Sequence, residues 1–169
     1  MWYSWSGTDQ PQPEEDALTR KGRPLPTPLP SCFPTILDPR DNTAESGFPL
    51  GALPVPNQMA ILWRSYLKNV HPLVKIFFKW EIEPIIQAAR EDPSSLSKGE
   101  QALVFAIAFI ATLSISDEDC ANLLSGDKQD RLFEFQKCVE DALLLAEFAT
   151  TSDTRTLQAF VLYLVSHQH

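Results

Sequence analysis

The chain has little glycine, few cysteines and almost no clustered positive charge, and each shortage excludes a class of function. Its six glycines are scattered, so no glycine-rich phosphate loop exists. Three cysteines, Cys32, Cys120 and Cys138, form no CxxC or Cys/His pair. An odd set at wide spacing argues against a disulfide framework or a zinc site and for reduced intracellular thiols. The longest basic run is Arg20-Lys21, in a chain of formal net charge −8. Such a chain is a poor ligand for nucleic acid, because gripping phosphates needs clustered Lys and Arg. The N-terminus, MWYSWSGTDQ, lacks a basic start followed by an apolar stretch, so it does not read as a secretory signal. The longest apolar block, Ala102 to Leu113, is too short to span a membrane and reads as a buried helix.

What is abundant is proline, and it lies at one end. Residues 1–56 hold eleven of the fourteen prolines, including RPLPTPLP at Arg23 to Pro30. Prolines at alternate positions remove backbone donors and favour polyproline II, so 1–56 reads as a disordered leader. Phe48, Leu50 and Leu53 are candidates to clip it onto the helical region C-terminal to it.

From residue 57 to 169 the pattern is helical, and alternation typical of strands is absent. The expected class is all-α, an irregular array of about six helices. The first has Asn57 as its N-cap and Ile61, Leu62, Tyr66, Leu67 and Val70 on its buried face, and it breaks at His71-Pro72. A second runs from Glu81 to Glu91 with Pro84 in its first turn. Ser97 and Glu100 form a capping box before QALVFAIAFIATLSI, which is apolar nearly all round and so is the expected hub of the core. Ser116 caps a short helix that Gly126 ends, and a long one extends from Asp127 to Phe148. Thr151, Ser152 and Asp153 offer caps for the last, whose Leu157, Val161, Leu164 and Val165 share the helical period. Trp63, Tyr66 and Leu67 are expected to pack on the hub at Phe105 or Phe109. The last helix ends still apolar on one face, so a partner or further helices are expected to cover it.

Chemistry-bearing residues are sparse. Asp117, Glu118 and Asp119 form the one acidic cluster that suggests Mg²⁺, but no second cluster accompanies them. Acidic residues behind a serine cap also stabilise a helix N-terminus without any metal. His71 is the sole internal candidate for general-base work, yet no nucleophile motif lies near it, and a His-Pro turn at a helix end accounts for it. The reading is therefore non-enzymatic: no catalytic, cofactor, metal or DNA-contact residue is assigned, and no membrane partner.

Leu62-Trp63, Tyr66, Asn69-Val70, Pro72-Leu73 and Lys75-Ile76 resemble the opening of the fungal-specific transcription factor regulatory domain, the middle homology region of fungal zinc binuclear-cluster regulators. The likeness continues through Pro93 to Ser97, Ala102 to Ala111, Leu157-Gln158-Ala159 and Leu162-Tyr163-Leu164, with Gly47-Phe48-Pro49-Leu50-Gly51 resembling a preceding segment. The resemblance implies that 57–169 is the N-terminal part of such a helical domain, in a nuclear transcription regulator working through protein contacts, in a metabolic or secondary-metabolite pathway. Departures are equally specific. The six-cysteine zinc cluster is absent, with Cys32 alone in the leader; His71 stands where the family often has Asp; Phe77-Phe78-Lys79-Trp80 replaces a His-x-Pro-Thr-like turn. Zinc and DNA binding thus come with the family and are not expected of this chain, which reads as a truncated regulator. Two other readings are a small helical accessory protein or metal-dependent enzyme using Asp117, Glu118 and Asp119, and an adaptor using Arg23 to Pro30.

Overall fold

A computed structural model describes residues 53–167; every helix expected from residue 57 onward falls within them. The proline motif at 23–30, the disorder expected of the leader, Cys32, and the segment at 47–51 lie outside the described residues. Among those described the protein is all-α, with six α-helices and no strand. They are α1 (Pro56–Ser65), α2 (Lys79–Glu91), α3 (Lys98–Ser114), α4 (Asp117–Leu124), α5 (Lys128–Leu145) and α6 (Thr154–Ser166). A π-helical segment, Tyr66–Val70, continues α1, and a 3-10 turn, Pro93–Ser95, comes after α2.

α3 is the hub. Its residues from Ala102 to Thr112 are all buried, and α1, α2, α5 and α6 pack around it. The capping box that starts it is formed: Ser97 Oγ accepts from the Glu100 N–H at 3.3 Å, and the Glu100 carboxylate accepts from the Ser97 N–H at 2.9 Å. Ser116 caps α4 through the Asp119 N–H at 3.1 Å. Of the three caps offered for α6, Asp153 is used, accepting from the Thr156 N–H at 2.9 Å. These caps rest on short-range geometry, where a side-chain oxygen satisfies donors three residues ahead.

Several boundaries differ, for identifiable reasons. α1 starts at Pro56, with Val55 rather than Asn57 at the N-cap and no side-chain cap. Proline at the first helical position has its φ already set and no N–H left unpaired. α2 starts at Lys79, so Pro84 lies inside the helix and cannot donate to the Trp80 carbonyl. α4 is ended by Ser125 in the left-handed region (φ 57°), one residue before Gly126. α5 stops at Leu145 because Glu147 turns left-handed (φ 52°) and the Phe148 N–H returns to the Leu143 carbonyl at 3.1 Å. Phe148 then packs on Phe160 of α6, with ring centroids 4.9 Å apart.

The largest correction is the rotation of α6. Its buried residues are Thr156, Ala159, Leu162, Tyr163 and Ser166. Leu157 and Val161 face outward at 44% and 42% exposure, and Leu164 and Val165 are half-buried. Small residues at Thr156, Ala159 and Ser166 let α6 lie close on the alanine-rich α3, and that proximity outweighs the burial of two aliphatic side chains. At the other end of the described residues, Leu53 is half-buried against the core.

Candidate interaction surfaces

The break after α1 is where the fold is least regular. The His71 N–H bonds the Tyr66 carbonyl at 2.9 Å, five residues back, which widens the last turn into a π segment. Pro72 supplies the reason, since its ring is incompatible with continued α geometry at the Lys68 carbonyl. His71 itself keeps helical dihedrals (φ −55°, ψ −33°) although proline comes next. Asn69 fastens the segment to the end of α3, donating to the Ser114 carbonyl at 3.2 Å and to Ser114 Oγ at 3.3 Å.

Beneath the break lies an aromatic cluster. Tyr66 stacks on Trp63 and on Phe77, each at 5.6 Å, and the His71 ring meets Tyr66 edge-on at 6.2 Å. α1 and the π segment do pack on α3 as expected, but Phe109 pairs with Tyr163 and His167 instead of with Trp63 or Tyr66. Trp63 Nε1, the Tyr66 hydroxyl and His71 Nε2 are buried without a partner among the described residues. Burial raises the Tyr66 phenol well above its usual range, so it stays neutral. A buried hydroxyl with no partner costs roughly 1–3 kcal/mol. Tyr66→Phe is therefore expected to leave stability unchanged or raise it by about 1 kcal/mol in urea denaturation. A loss of that size would instead reveal a partner for the hydroxyl. Among the described residues, no side chain near His71 completes a nucleophile–base pair, and its ring serves as an aromatic neighbour in the turn.

The acidic trio occupies the exposed first turn of α4. Asp117 Oδ1 lies 3.4 Å from Lys128 Nζ, which also donates to the Ile115 carbonyl at 2.6 Å. Asp117 thus helps hold a lysine that closes the end of α3. Among the described residues, no group of three His, Cys, Asp or Glu is placed to hold a metal ion. Both described thiols are buried; burial raises Cys120, and burial followed by nearby Glu134 and Asp141 pushes Cys138 up to about 11. Neither suits a nucleophile.

What the surface does offer is apolar. A groove of about 260 Å³ runs between the His-Pro turn and the C-terminal ends of α3 and α6, lined by Val70, Leu73, Val74, Ile110, Leu113 and Val165 among others. Leu73 stands 84% exposed at its edge. Leu157 and Val161 on α6 and Phe133 and Leu144 on α5 are exposed as well. Nothing in the sequence pattern singled out this groove, because it joins segments that are far apart along the chain.

The chain is 35% identical over 108 residues to the Aurofusarin cluster transcription factor aurR2 of Gibberella zeae. It is 33% identical over 129 residues to the Pyriculol/pyriculariol biosynthesis cluster transcription factor 1 of Pyricularia oryzae. The chain is related to fungal zinc-cluster transcription factors. A third relative, the C6 finger domain transcription factor adaR of Aspergillus niger, is 34% identical over 114 residues. The three alignments cover 64%, 76% and 63% of this chain, but only 16%, 17% and 14% of the respective relatives. The likeness is thus to a limited portion of much longer proteins. No family model matches the chain, and no solved structure does.

Proposed function

We propose that this chain is a transcription regulator that works through protein contacts rather than through chemistry or direct DNA reading. The observation that carries the proposal is the similarity of some two thirds of the chain to several fungal transcription factors. On this reading residues 57–169 are the N-terminal part of a helical regulatory domain and residues 1–56 are a leader to it. The apolar groove beside Leu73 and the outer face of α6 dock either a protein partner or further helices of the same kind of domain. The protein acts in the nucleus, and the names of the relatives favour a secondary-metabolite gene cluster as its setting. A net charge of −8 supports a role that leaves DNA contact to another module.

The test is to fuse the full chain to a heterologous DNA-binding domain in a fungal host carrying a matching reporter. Reporter output is expected to change at least several-fold, and Leu73→Asp together with Val161→Asp, both at exposed positions, is expected to remove the effect. Unchanged output with nuclear, full-length protein would defeat the proposal. So would a specific gel shift by the unfused chain at moderate salt.

A further inference from the structure

The second surface feature is a basic groove, and the transcription reading does not depend on it. From Ser46 to Trp80 the sequence contains no Asp or Glu, but it carries Arg64, Lys68, Lys75 and Lys79. In a chain of net charge −8, that segregation leaves a locally positive stretch. The fold adds to it: α2 packs alongside α1, which brings Arg90 to the same side. A groove of about 350 Å³ between the two helices is lined by Arg64, Lys79 and Arg90, with Leu67 and Ile86 as apolar wall. Glu83 is its one carboxylate, 3.9 Å from Lys79. Arg90 is directed to the Pro56 carbonyl and to Gln87, whereas Lys75 and Arg64 form no ion pair among the described residues.

Lys79 also borders a second concavity of about 300 Å³, formed by His71, Lys75, Phe77, Phe78 and Trp80. Phe78 and Trp80 are 66% and 70% exposed and stack on one another at 6.0 Å with their planes 14° apart. Two adjacent aromatic rings held in a stack and left open to water resemble the rigid aromatic anchors that concentrate binding energy at interfaces. The two concavities meet at Lys79, so the surface is elongated, cationic along its length and aromatic at one end.

We propose that this surface binds an extended acidic peptide segment bearing leucine or aromatic side chains. The carboxylates would face Lys75, Lys79 and Arg64, and an apolar side chain would rest on the Phe78–Trp80 stack. Single-stranded nucleic acid also combines negative charge with stacking. It fits less well, because the half-buried Leu67 gives the groove an apolar wall that a phosphate backbone cannot use.

The experiment titrates the full chain into three fluorescent probes, monitored by anisotropy. They are a synthetic peptide of acidic pairs alternating with Leu and Phe, the same peptide with Asn and Gln for Asp and Glu, and oligothymidylate. The acidic peptide is expected to bind saturably, at least about ten-fold tighter than its amide counterpart, and to weaken with added salt. Lys75→Glu with Lys79→Glu, and separately Trp80→Ala, are each expected to weaken it about ten-fold while circular dichroism melts stay close to wild type, since all three positions are exposed. Equal binding of the acidic and amide peptides, no binding of either, binding indifferent to the variants, or tighter binding of oligothymidylate would each overturn the proposal. Arg64→Glu gives an independent check from the other side of the groove, with the same expected loss.

Discussion

Gly99→Ala is expected to lower the melting temperature by roughly 10 °C, although it adds only one methyl group. Gly99 is a buried residue in the first turn of α3, pressed against the start of α6. A Cβ there would sit 1.9 Å from Asp153 Oδ2 and 2.6 Å from Thr156 Oγ1. The side chain it displaces is the α6 cap: Asp153 Oδ2 accepts from the Thr156 N–H at 2.9 Å and from its hydroxyl at 2.7 Å. Overpacking costs about 1–3 kcal/mol and loss of such a cap about 0.5–2 kcal/mol, so the two together approach 3 kcal/mol. A melt monitored by circular dichroism decides it; a shift within about 2 °C would mean that α6 moves aside freely. The same contact predicts an acid response. Desolvation pushes the Asp153 carboxyl up, but hydrogen bonds from Thr156 and the Arg155 N–H outweigh it and hold the group below its ordinary value. Its ionised form therefore stabilises the fold fully above about pH 3.9, and the contribution fades as pH falls through the lower folded value. Asp153→Asn should flatten that portion of the pH profile.

Features set by near neighbours along the chain were legible in the sequence itself. Ser97 with Glu100, Ser116, and Asp153 each satisfy donors within three residues, so their pattern located two helix starts and narrowed the third to Thr151, Ser152 or Asp153. α3 was legible as the hub because apolar residues cover its whole circumference. Contacts between distant segments were not. The rotation of α6 depends on small residues at Thr156, Ala159 and Ser166 approaching α3, whereas periodicity weighs only how apolar each position is. Gly99 looked like one scattered glycine, and only the arrival of Asp153 makes its missing Cβ essential. The break at His71-Pro72 was visible, but its π widening and the unpaired polar atoms beneath it were not. The basic groove was half visible: the acid-free stretch can be read from the sequence, while its union with Arg90 requires α1 and α2 side by side.

Both surfaces proposed to bind partners flank the same irregular turn, which gives a reason for the way the turn is built. Leu73 belongs to the apolar groove and Lys75 to the concavity beside Phe78 and Trp80, two residues apart on a segment that is neither helix nor strand. A continuous helix would have placed Leu73, Lys75 and Phe78 around one cylinder at fixed angles. Ending the helical run of α1 and its π segment at Val70 and starting α2 at Lys79 lets them point to different sides. The aromatic cluster of Trp63, Tyr66 and Phe77 holds the turn against α3 in place of regular hydrogen bonding.

Tyr163→Ala is expected to produce the largest loss of all, about 3–5 kcal/mol from the cavity alone. Tyr163 is fully buried on α6, with its ring 6.2 Å from Phe109 of α3 and 4.4 Å from His167. Its hydroxyl donates to the Glu140 carboxylate of α5, which also accepts from Gln136 Nε2 at 3.0 Å. One side chain therefore joins three helices. Tyr163→Phe keeps the ring and removes the charge-assisted hydrogen bond, so about 1.5–3 kcal/mol should go. Denaturant titrations of the two variants separate packing from polarity: equal losses would place the stabilisation in the hydroxyl, and a negligible loss for Phe would place it in the ring. Alkaline pH offers a second reading. Burial first, then the Glu140 carboxylate, raise the phenol far above its ordinary value. Its neutral form thus stabilises the fold fully below about pH 10, and the contribution is lost as pH climbs toward the folded value. Wild-type stability should fall in that range, and Tyr163→Phe should fall less steeply, retaining the shares that buried Tyr66, Cys138 and Cys120 contribute by the same mechanism.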